Sequence, residues 1–404
     1  MCGIAGMLSL TGRPLERPEL VQAMMDRLVH RGPDEQGRFV NPARTVSLGH
    51  RRLRIIDLET GRQPLGNEDG SVMITFNGEI YGFQILRDML LGRGHRFQTK
   101  TDTEVMVHLY EEDHAGFLQL LKGMFAFALW DERTQSLLLA RDRVGKKPLY
   151  YTTHRGMFLF ASELQALLAV PELSRELDEL ALDQYLTLGY IPAPRTIYRQ
   201  IQKLEAGHSL LVKSGSSGEA LRKERYWAPH GTLQEPIDWQ EAKQELVRCL
   251  REATALRMVS DVPIGCFLSG GVDSSTVLSF MAELSPQPVQ TFSIGFVEED
   301  YSELSHARTI ARHFGTDHHE YVLEPDAVGI LDELAAHFGE PFADPSALPM
   351  WYLAQLTRKS VTVALTGDGG DELFGGYAWY RTAQALEAAS FVPGWMARMG
   401  SCLQ

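Results

Sequence analysis

The stretch Val262-Pro263-Ile264-Gly265-Cys266-Phe267-Leu268-Ser269-Gly270-Gly271-Val272-Asp273-Ser274-Ser275 joins a continuous apolar run to a small, polar, glycine-rich turn. A run without alternation reads as a strand buried on both faces, here residues 262–268, with a helix over 274–284 after the turn. That order places the turn at the carboxyl edge of a parallel strand, where open α/β sheets bind ligands. Gly270 and Gly271 allow close backbone approach, and Ser269, Ser274 and Ser275 offer hydroxyls. The helix N-terminus adds free N–H groups and a partial positive charge, so pyrophosphate is the group this chemistry suits. A GxxxxGK[ST] motif is absent, so ordinary P-loop kinase or GTPase chemistry is not indicated. The bland alternative is a helix capped by Asp or Ser after a tight turn.

Outward from this stretch the pattern alternates helix and strand. Residues 239–258 form an amphipathic helix, 289–296 a strand, 303–314 a helix, 319–323 a strand, 326–338 a helix and 361–365 a strand, the signature of a doubly wound parallel sheet. The last strand opens a second glycine-rich turn, Thr366-Gly367-Asp368-Gly369-Gly370-Asp371-Glu372. Three acidic side chains among glycines repel one another unless a cation offsets them, which points to magnesium at Asp371 and to acid/base work by Asp368; a solvated acidic turn is the alternative. Leu268 and Ile294, at the ends of neighbouring strands, are candidates to sandwich an adenine, and residues 339–347 are expected to line an acceptor pocket. The SGGVDSS turn resembles that of the N-type ATP pyrophosphatases, which implies cleavage of ATP between its α and β phosphates to adenylate a carboxylate, with Asp273 helping to hold magnesium.

The first half reads differently. Residues 72–76 form a strand ending in the Asn77-Gly78 turn, and 124–130 a strand ending at Asp131. A further strand, 136–140, is expected to pair with 149–151 and 157–161. Helical periodicity covers 18–28 and 83–91, so the half is predicted to be an α+β layer sandwich. Residues 214–218 read as a hairpin tip and the stretch after Tyr226 as a linker. Cys2 follows Met1 and precedes small residues, and methionine before a small residue is normally trimmed. The exposed α-amine, with a pKa of about 7.7 to 8.0, then sits beside the thiol as its base. Arg52 can clamp an α-carboxylate, Asn77 and Gly78 can stabilise an oxyanion, and Glu79 and Asp102 can hold an α-ammonium. Singly, these read as a surface charge, a hairpin turn and a helix cap.

Composition bounds the rest. At 404 residues two domains are expected, and 44% hydrophobic with 23% charged residues is ordinary for globular chains. A net charge of −13 argues against a nucleic-acid surface. Cys2, Cys249, Cys266 and Cys402 show neither disulfide nor zinc spacing. No signal peptide and no membrane-length apolar run is evident, which makes the cytoplasm the default compartment.

The motifs MCGIAG, HRGPD (30–34), HRRLRIID (50–57), FNGEIY (76–81), TDTE (101–104), GMFAFALWD, ARDRVGKKPLYY, SGGVDSS and GDGGDELFGGY together resemble the glutamine-hydrolysing asparagine synthetases, in order and over nearly the whole chain. The resemblance implies an α+β class II glutaminase of the Ntn-hydrolase type over 2–212, a linker over 213–236 and an α/β, doubly wound, ATP pyrophosphatase-like synthetase domain over 237–404. An internal channel would carry ammonia between the two. It makes Cys2 the nucleophile and Arg52, Leu53, Arg54, Ile55, Ile56, Asn77, Gly78, Glu79 and Asp102 the glutamine site. It gives Leu268, Ile294, Thr366 and Gly367 to ATP and ties Asp368 to acyl-adenylate formation. ATP, magnesium, glutamine and a carboxylate acceptor, aspartate first, are the implied ligands, and a homodimer is compatible with it. Asp368 stands where the best-known members have Glu, a variant that resembles the branch with amidotransferases of cell-surface and exosortase-associated gene clusters, so a cell-envelope or peptide carboxylate is the alternative acceptor. Members continue with a helical stretch carrying an essential lysine, so the synthetase domain reads as truncated. From another class, a non-synthesising nucleotide- or partner-binding protein remains open. An amidotransferase attached to sugar-phosphate chemistry would suit Cys2 but leave SGGVDSS unexplained.

Overall fold

The computed structural model describes residues 1–215, 220–229, 237–297, 302–323 and 329–389. Its contacts divide into two compact units. The first comprises residues 1–242, 259–262 and 325–351, and the second 243–258, 263–324 and 352–404.

In the first unit the strand Gly123–Asp131 shows why its sequence lacks a polar face. Ala126, Ala128 and Trp130 point into one core with Ile4, Leu48 and Phe160, while Phe125, Phe127 and Leu129 point into another with Val105, Leu109 and Phe117. A strand buried on both faces loses the alternation that marks a half-exposed one. Two six-stranded sheets result. One runs in the spatial order Gln202–Lys203, Tyr150–His154, Met157–Ala161, Gly3–Ser9, Val46–Arg52 and Glu35–Val40. The other runs Leu221–Arg225, His208–Lys213, Ser136–Arg141, Gly123–Asp131, Val72–Ile80 and Leu65–Gly66. The helices Phe83–Gly92 and Asp102–Asp113 cover the outside of the second sheet, and Leu20–Asp26 and Leu164–Leu167 the outside of the first. This is the expected α+β sandwich, in four layers.

Three local expectations change. Ser136–Arg141 pairs with Gly123–Asp131 and His208–Lys213, not with Tyr150–His154 or Met157–Ala161, which lie in the opposite sheet. Proximity in sequence suggested that pairing, and burial of both faces of 137–140 left no alternation to correct it. The strand beginning at Val72 does not end at Asn77-Gly78 but continues to Ile80, pairing Asn77 with Ala126 and Gly78 with Phe125. Gly78 packs so close that a Cβ would stand 2.2 Å from the Met124 carbonyl oxygen, so here glycine serves close packing of strands, not a turn. Finally, Leu221–Arg225 pairs back on His208–Lys213, as a hairpin requires, but most of its tip (216–219) and residues 230–236 of the linker lie outside the described residues.

The second unit holds a four-stranded, wholly parallel sheet in the order Asp317–Leu323, Gln290–Phe296, Ile264–Phe267, Val363–Leu365. Helices Trp239–Arg257, Val272–Leu284, Leu304–Phe314 and Ala347–Thr357 alternate with it in sequence, as the doubly wound reading requires. The helix after the glycine turn starts at Val272, two residues before the expected Ser274, so Asp273, Ser274 and Ser275 lie in its first turn. The helix expected over 326–338 is described from Leu331 to Phe338, with 324–328 outside the described residues, as is Cys402. Among the described residues no helix is long and apolar enough to cross a membrane.

Candidate active sites

Cys2 precedes the central strand of the first sheet, and its thiol faces the end of Val46–Arg52. The Leu53 amide donates to Sγ at 3.4 Å, Sγ lies 3.7 Å from the Leu53 carbonyl, and Arg31 Nε donates to the Cys2 carbonyl at 2.9 Å. Burial pushes the thiol pKa up, against the opposing pull of the Leu53 amide and of Arg52 and Arg31. A thiol held neutral needs a base to become a nucleophile.

The thiol opens on a cavity of about 60 Å³ whose walls include Arg52, Asn77, Gly78, Glu79, Asp102 and Lys147. Asn77 is fully buried, and neither its amide oxygen nor its amide nitrogen has a hydrogen-bond partner. An unpaired buried amide costs about 1–3 kcal/mol, so it marks a group that waits for a ligand. Asp102 is not a helix cap. Thr101 caps the helix, accepting from Glu104 N at 3.2 Å, while the Asp102 carboxylate accepts from the Ile80 amide at 2.8 Å. Burial raises the Asp102 pKa to about 6 despite these donors. Arg52 is buried, 3.1 Å from Glu35, and donates to the carbonyls of Asp57 (2.6 Å) and Ile56 (3.2 Å). Leu53, Ile55 and Ile56 share the cavity wall. Arg54 does not; its amide donates to Asp34 and its guanidinium turns toward Glu35.

Two wall or support residues escape single-residue reading. Lys147 is buried, its ammonium touches the Met1 sulfur, and desolvation lowers its pKa to about 8. Arg31 holds the Cys2 carbonyl and pairs with Glu163 at 2.7 Å. Both lie inside quoted motifs, ARDRVGKKPLYY and HRGPD, which was the available signal.

In the second unit the two glycine-rich turns meet. They follow adjacent parallel strands, with Cys266 paired to Leu365, so both emerge at the same sheet edge. A Cβ on Gly367 would stand 2.7 Å from Ser274 N, and one on Gly370 would stand 2.4 to 2.7 Å from the Asp273 carboxyl group. Gly270 has φ of +84° and would meet the Ala307 amide at 2.6 Å, so only glycine fits. Ser269 Oγ accepts from Gly271 N (3.1 Å) and lies 3.0 Å from Ser274 Oγ, and Ser275 Oγ is buried without a partner. Gly271 stands at the N-cap without a side-chain cap, so the capped-helix alternative does not hold. Asp368 is exposed, its amide donating to Thr366 Oγ1 at 3.2 Å, and Asp371 begins the short helix Gly370–Phe374. Leu268 packs with Cys266 and Leu278, whereas Ile294 packs with Phe292 and Leu353, on the other face of the sheet. Their side chains therefore cannot close on one ring as expected, because strand residues alternate faces. Residues 339–346 are non-helical as expected. Glu340 and Phe342 line a cavity of about 330 Å³ with Tyr150 and Lys203, where Lys203 pairs with Glu340 at 2.5 Å.

The sequence matches the model of the glutamine amidotransferase domain over residues 1–227 and that of asparagine synthase over 245–399. It is 36% identical over its whole length to the Methanocaldococcus jannaschii protein named "Putative asparagine synthetase [glutamine-hydrolyzing] 2", covering 81% of that protein. This chain belongs to the glutamine-hydrolysing asparagine synthetase family. Within that family it is 37% identical to asparagine synthetase 1 of Bacillus subtilis over 99% of its own length and 62% of the relative's. Amidase chry2 of Gibberella zeae is 30% identical over 98% of this chain and 62% of its own. The chain thus spans about three-fifths of the length of two of these three relatives.

Proposed function

We propose that the chain hydrolyses glutamine at Cys2 and uses the ammonia to amidate a carboxylate activated with ATP. The observation that carries the first half is Asn77, a buried amide without partners in the cavity that also holds Cys2, Arg52 and Asp102. With Met1 removed, the free amine of Cys2 takes the thiol proton and Sγ attacks the glutamine amide carbon. Asn77 and the Gly78 amide stabilise the oxyanion, and ammonia leaves with the proton held by the amine, leaving a γ-glutamyl thioester on Sγ. Water, giving a proton to the same amine, then breaks the C–S bond, releasing glutamate and returning that proton to the thiol. Arg52 receives the α-carboxylate, and Glu79 and Asp102 the α-ammonium. An entering ammonium draws the Asp102 pKa down from about 6 and keeps the carboxylate charged.

The second half rests on the meeting of the two turns, where Ser269, Gly271, Ser274 and Ser275 offer hydroxyl and amide donors to phosphates. Asp273 and Asp371 are the carboxylates that would hold magnesium, which supplies charge neutralisation at the phosphates when bound. The cradle fits, since side chains at Gly367 or Gly370 would fill it. Aspartate is the proposed acceptor, from the naming of the relatives. The carboxylate of Asp368, one methylene shorter than the Glu that the resemblance leads one to expect there, makes a cell-envelope or peptide carboxylate the alternative acceptor. Glutamate release from glutamine by the chain, and its absence in Cys2→Ala, tests the glutaminase. Pyrophosphate and AMP release with ammonia present, for aspartate against other carboxylates, tests the acceptor.

A further inference from the structure

The helix Asp102–Asp113 carries Asp102 at one end and, two turns on, a cluster that the glutaminase does not use. His108 and Glu111 are spaced i, i+3 and so share a face, and His95 reaches them from the segment after the helix Phe83–Gly92. Three atoms converge there. His95 Nδ1 lies 3.2 Å from His108 Nδ1, while Glu111 Oε2 lies 2.8 Å from His108 Nδ1 and 3.6 Å from His95 Nδ1.

Hydrogen bonds satisfy this triangle only with one proton shared between two acceptors. A ring nitrogen carries in its plane one proton or one lone pair. If His108 Nδ1–H donates to Glu111 at 2.8 Å, the His95 Nδ1 lone pair faces the Glu111 oxygen at 3.6 Å and can take only a share of that same proton. If His95 donates to His108 instead, two lone pairs meet across the 2.8 Å contact. Protons on both nitrogens face each other across 3.2 Å. A cation at the centre takes all three lone pairs at once. Metal–N bonds of about 2.0–2.1 Å and metal–O bonds of about 2.0–2.2 Å at tetrahedral angles give donor–donor edges of roughly 3.3–3.5 Å, which the observed edges bracket.

The surroundings match what ligating side chains require. His95 Nε2 lies 3.0 Å from Glu112 Oε1, which fixes its proton on Nε2 and turns Nδ1 inward as a lone pair. Asn67 Nδ2 donates to Glu111 Oε1 at 2.7 Å and leaves Oε2 for the centre. His108 is fully buried and its Nε2 has no hydrogen-bond partner; with a cation on Nδ1 its proton would sit on Nε2, toward Glu104 Oε1 at 3.9 Å. Phe97 stacks edge-on against His108 and keeps that side dry, while His95 and Glu111 are only half-buried and leave a path in. Arg93, paired with Glu112 at 2.5 Å, and Arg133, which interacts with Glu111, are set against the carboxylates of Glu68, Glu104, Glu111 and Glu112.

We propose that His95 Nδ1, His108 Nδ1 and Glu111 Oε2 bind one divalent transition-metal ion, zinc by the two-imidazole, one-carboxylate donor set, with the fourth position left to water. Imidazole donors select against magnesium, which separates this site from the acidic turns of the synthetase unit. Bound metal ties the segment after the first outer helix to the second and stabilises the folded state by mass action.

The test uses the full chain, stripped with a chelator and dialysed. Titration with zinc in the presence of excess magnesium, followed by calorimetry and metal analysis, should show one equivalent bound at micromolar zinc. Cobalt should give the visible bands of a low-symmetry, four-coordinate nitrogen and oxygen site. His95→Ala and the isosteric Glu111→Gln should each weaken zinc binding at least tenfold and abolish the cobalt bands, and both should melt like the wild type in chelator, which shows that they fold. No binding at micromolar zinc, or binding and bands unchanged in both variants, would overturn the proposal. Glutaminase activity need not be measured.

Discussion

The Ile80 amide donates to the Asp102 carboxylate at 2.8 Å, fastening the end of the strand that carries Asn77, Gly78 and Glu79 to the first turn of a helix. The groups proposed for the oxyanion and for the α-ammonium are thereby set in one frame. The same bond explains why Asp102 tolerates burial. Its pKa nevertheless rises to about 6, so desolvation outweighs the donors.

Asp102→Asn should therefore separate stability from function. A carboxyl whose folded pKa lies above its unfolded value of about 3.8 contributes stability that is full below that value and lost as the pH rises through about 6. The shift corresponds to at most roughly 3 kcal/mol. The asparagine variant keeps an acceptor for Ile80, so it should melt higher than the wild type at pH 8 and show no advantage near pH 3. Its KM for glutamine should rise about tenfold to a hundredfold, from loss of a charged hydrogen bond. Melting curves across pH and glutamate-release kinetics check both halves, and an unchanged KM would remove Asp102 from the ammonium site.

Asn77→Ala should lower kcat for glutamine hydrolysis by about 10²- to 10³-fold with KM little changed, because an oxyanion donor acts in the transition state. Stability should hold or improve, since the amide has no partner to lose. A variant that loses binding and keeps kcat would assign Asn77 to the ground state instead.

Retention of Met1 should silence the glutaminase nearly as fully as Cys2→Ala. The Met1 side chain lines the same cavity, where the Lys147 ammonium touches its sulfur, and a peptide nitrogen on Cys2 is no base. Mass spectrometry of the N-terminus, set against glutamate release from processed and unprocessed protein, reads this directly. Equal activity in the two forms would exclude the amine as base.

Gly367→Ala should impair nucleotide handling and leave the glutaminase intact. Its Cβ would stand 2.7 Å from Ser274 N and 2.9 Å from Asp273 Cβ, contacts with backbone and stem that cannot swing away. Asp273→Asn keeps the shape and removes one charge, so it should weaken the magnesium dependence of ATP binding with less loss of affinity for free ATP. Calorimetric titration with and without magnesium distinguishes the two. Unchanged ATP binding in both would leave the meeting of the turns without a ligand.

Residue order alone determined a good deal. The unbroken apolar run into Ser269-Gly270-Gly271 required a parallel strand ending in a glycine-rich turn, because only a strand covered on both faces dispenses with alternation. Cys2 behind Met1 carried the expectation of an N-terminal nucleophile, since thiol and amine on one residue need no tertiary help to be neighbours. Tertiary structure decided what depends on contacts distant in sequence. Asn77-Gly78 has the chemistry of a turn, yet pairing with Ala126 and Phe125 draws it into a strand and buries the amide beside Cys2. Ser136–Arg141 chose partners in its own sheet over nearer neighbours in sequence because both of its faces are apolar and the register was free to follow the cores. Leu268 and Ile294 sit on opposite faces because their paired strands differ by one residue in phase, which spacing along the chain does not reveal. His95 and His108 are thirteen residues apart with nothing between them to suggest a pair, and only the packing of two outer helices brings their nitrogens within 3.2 Å.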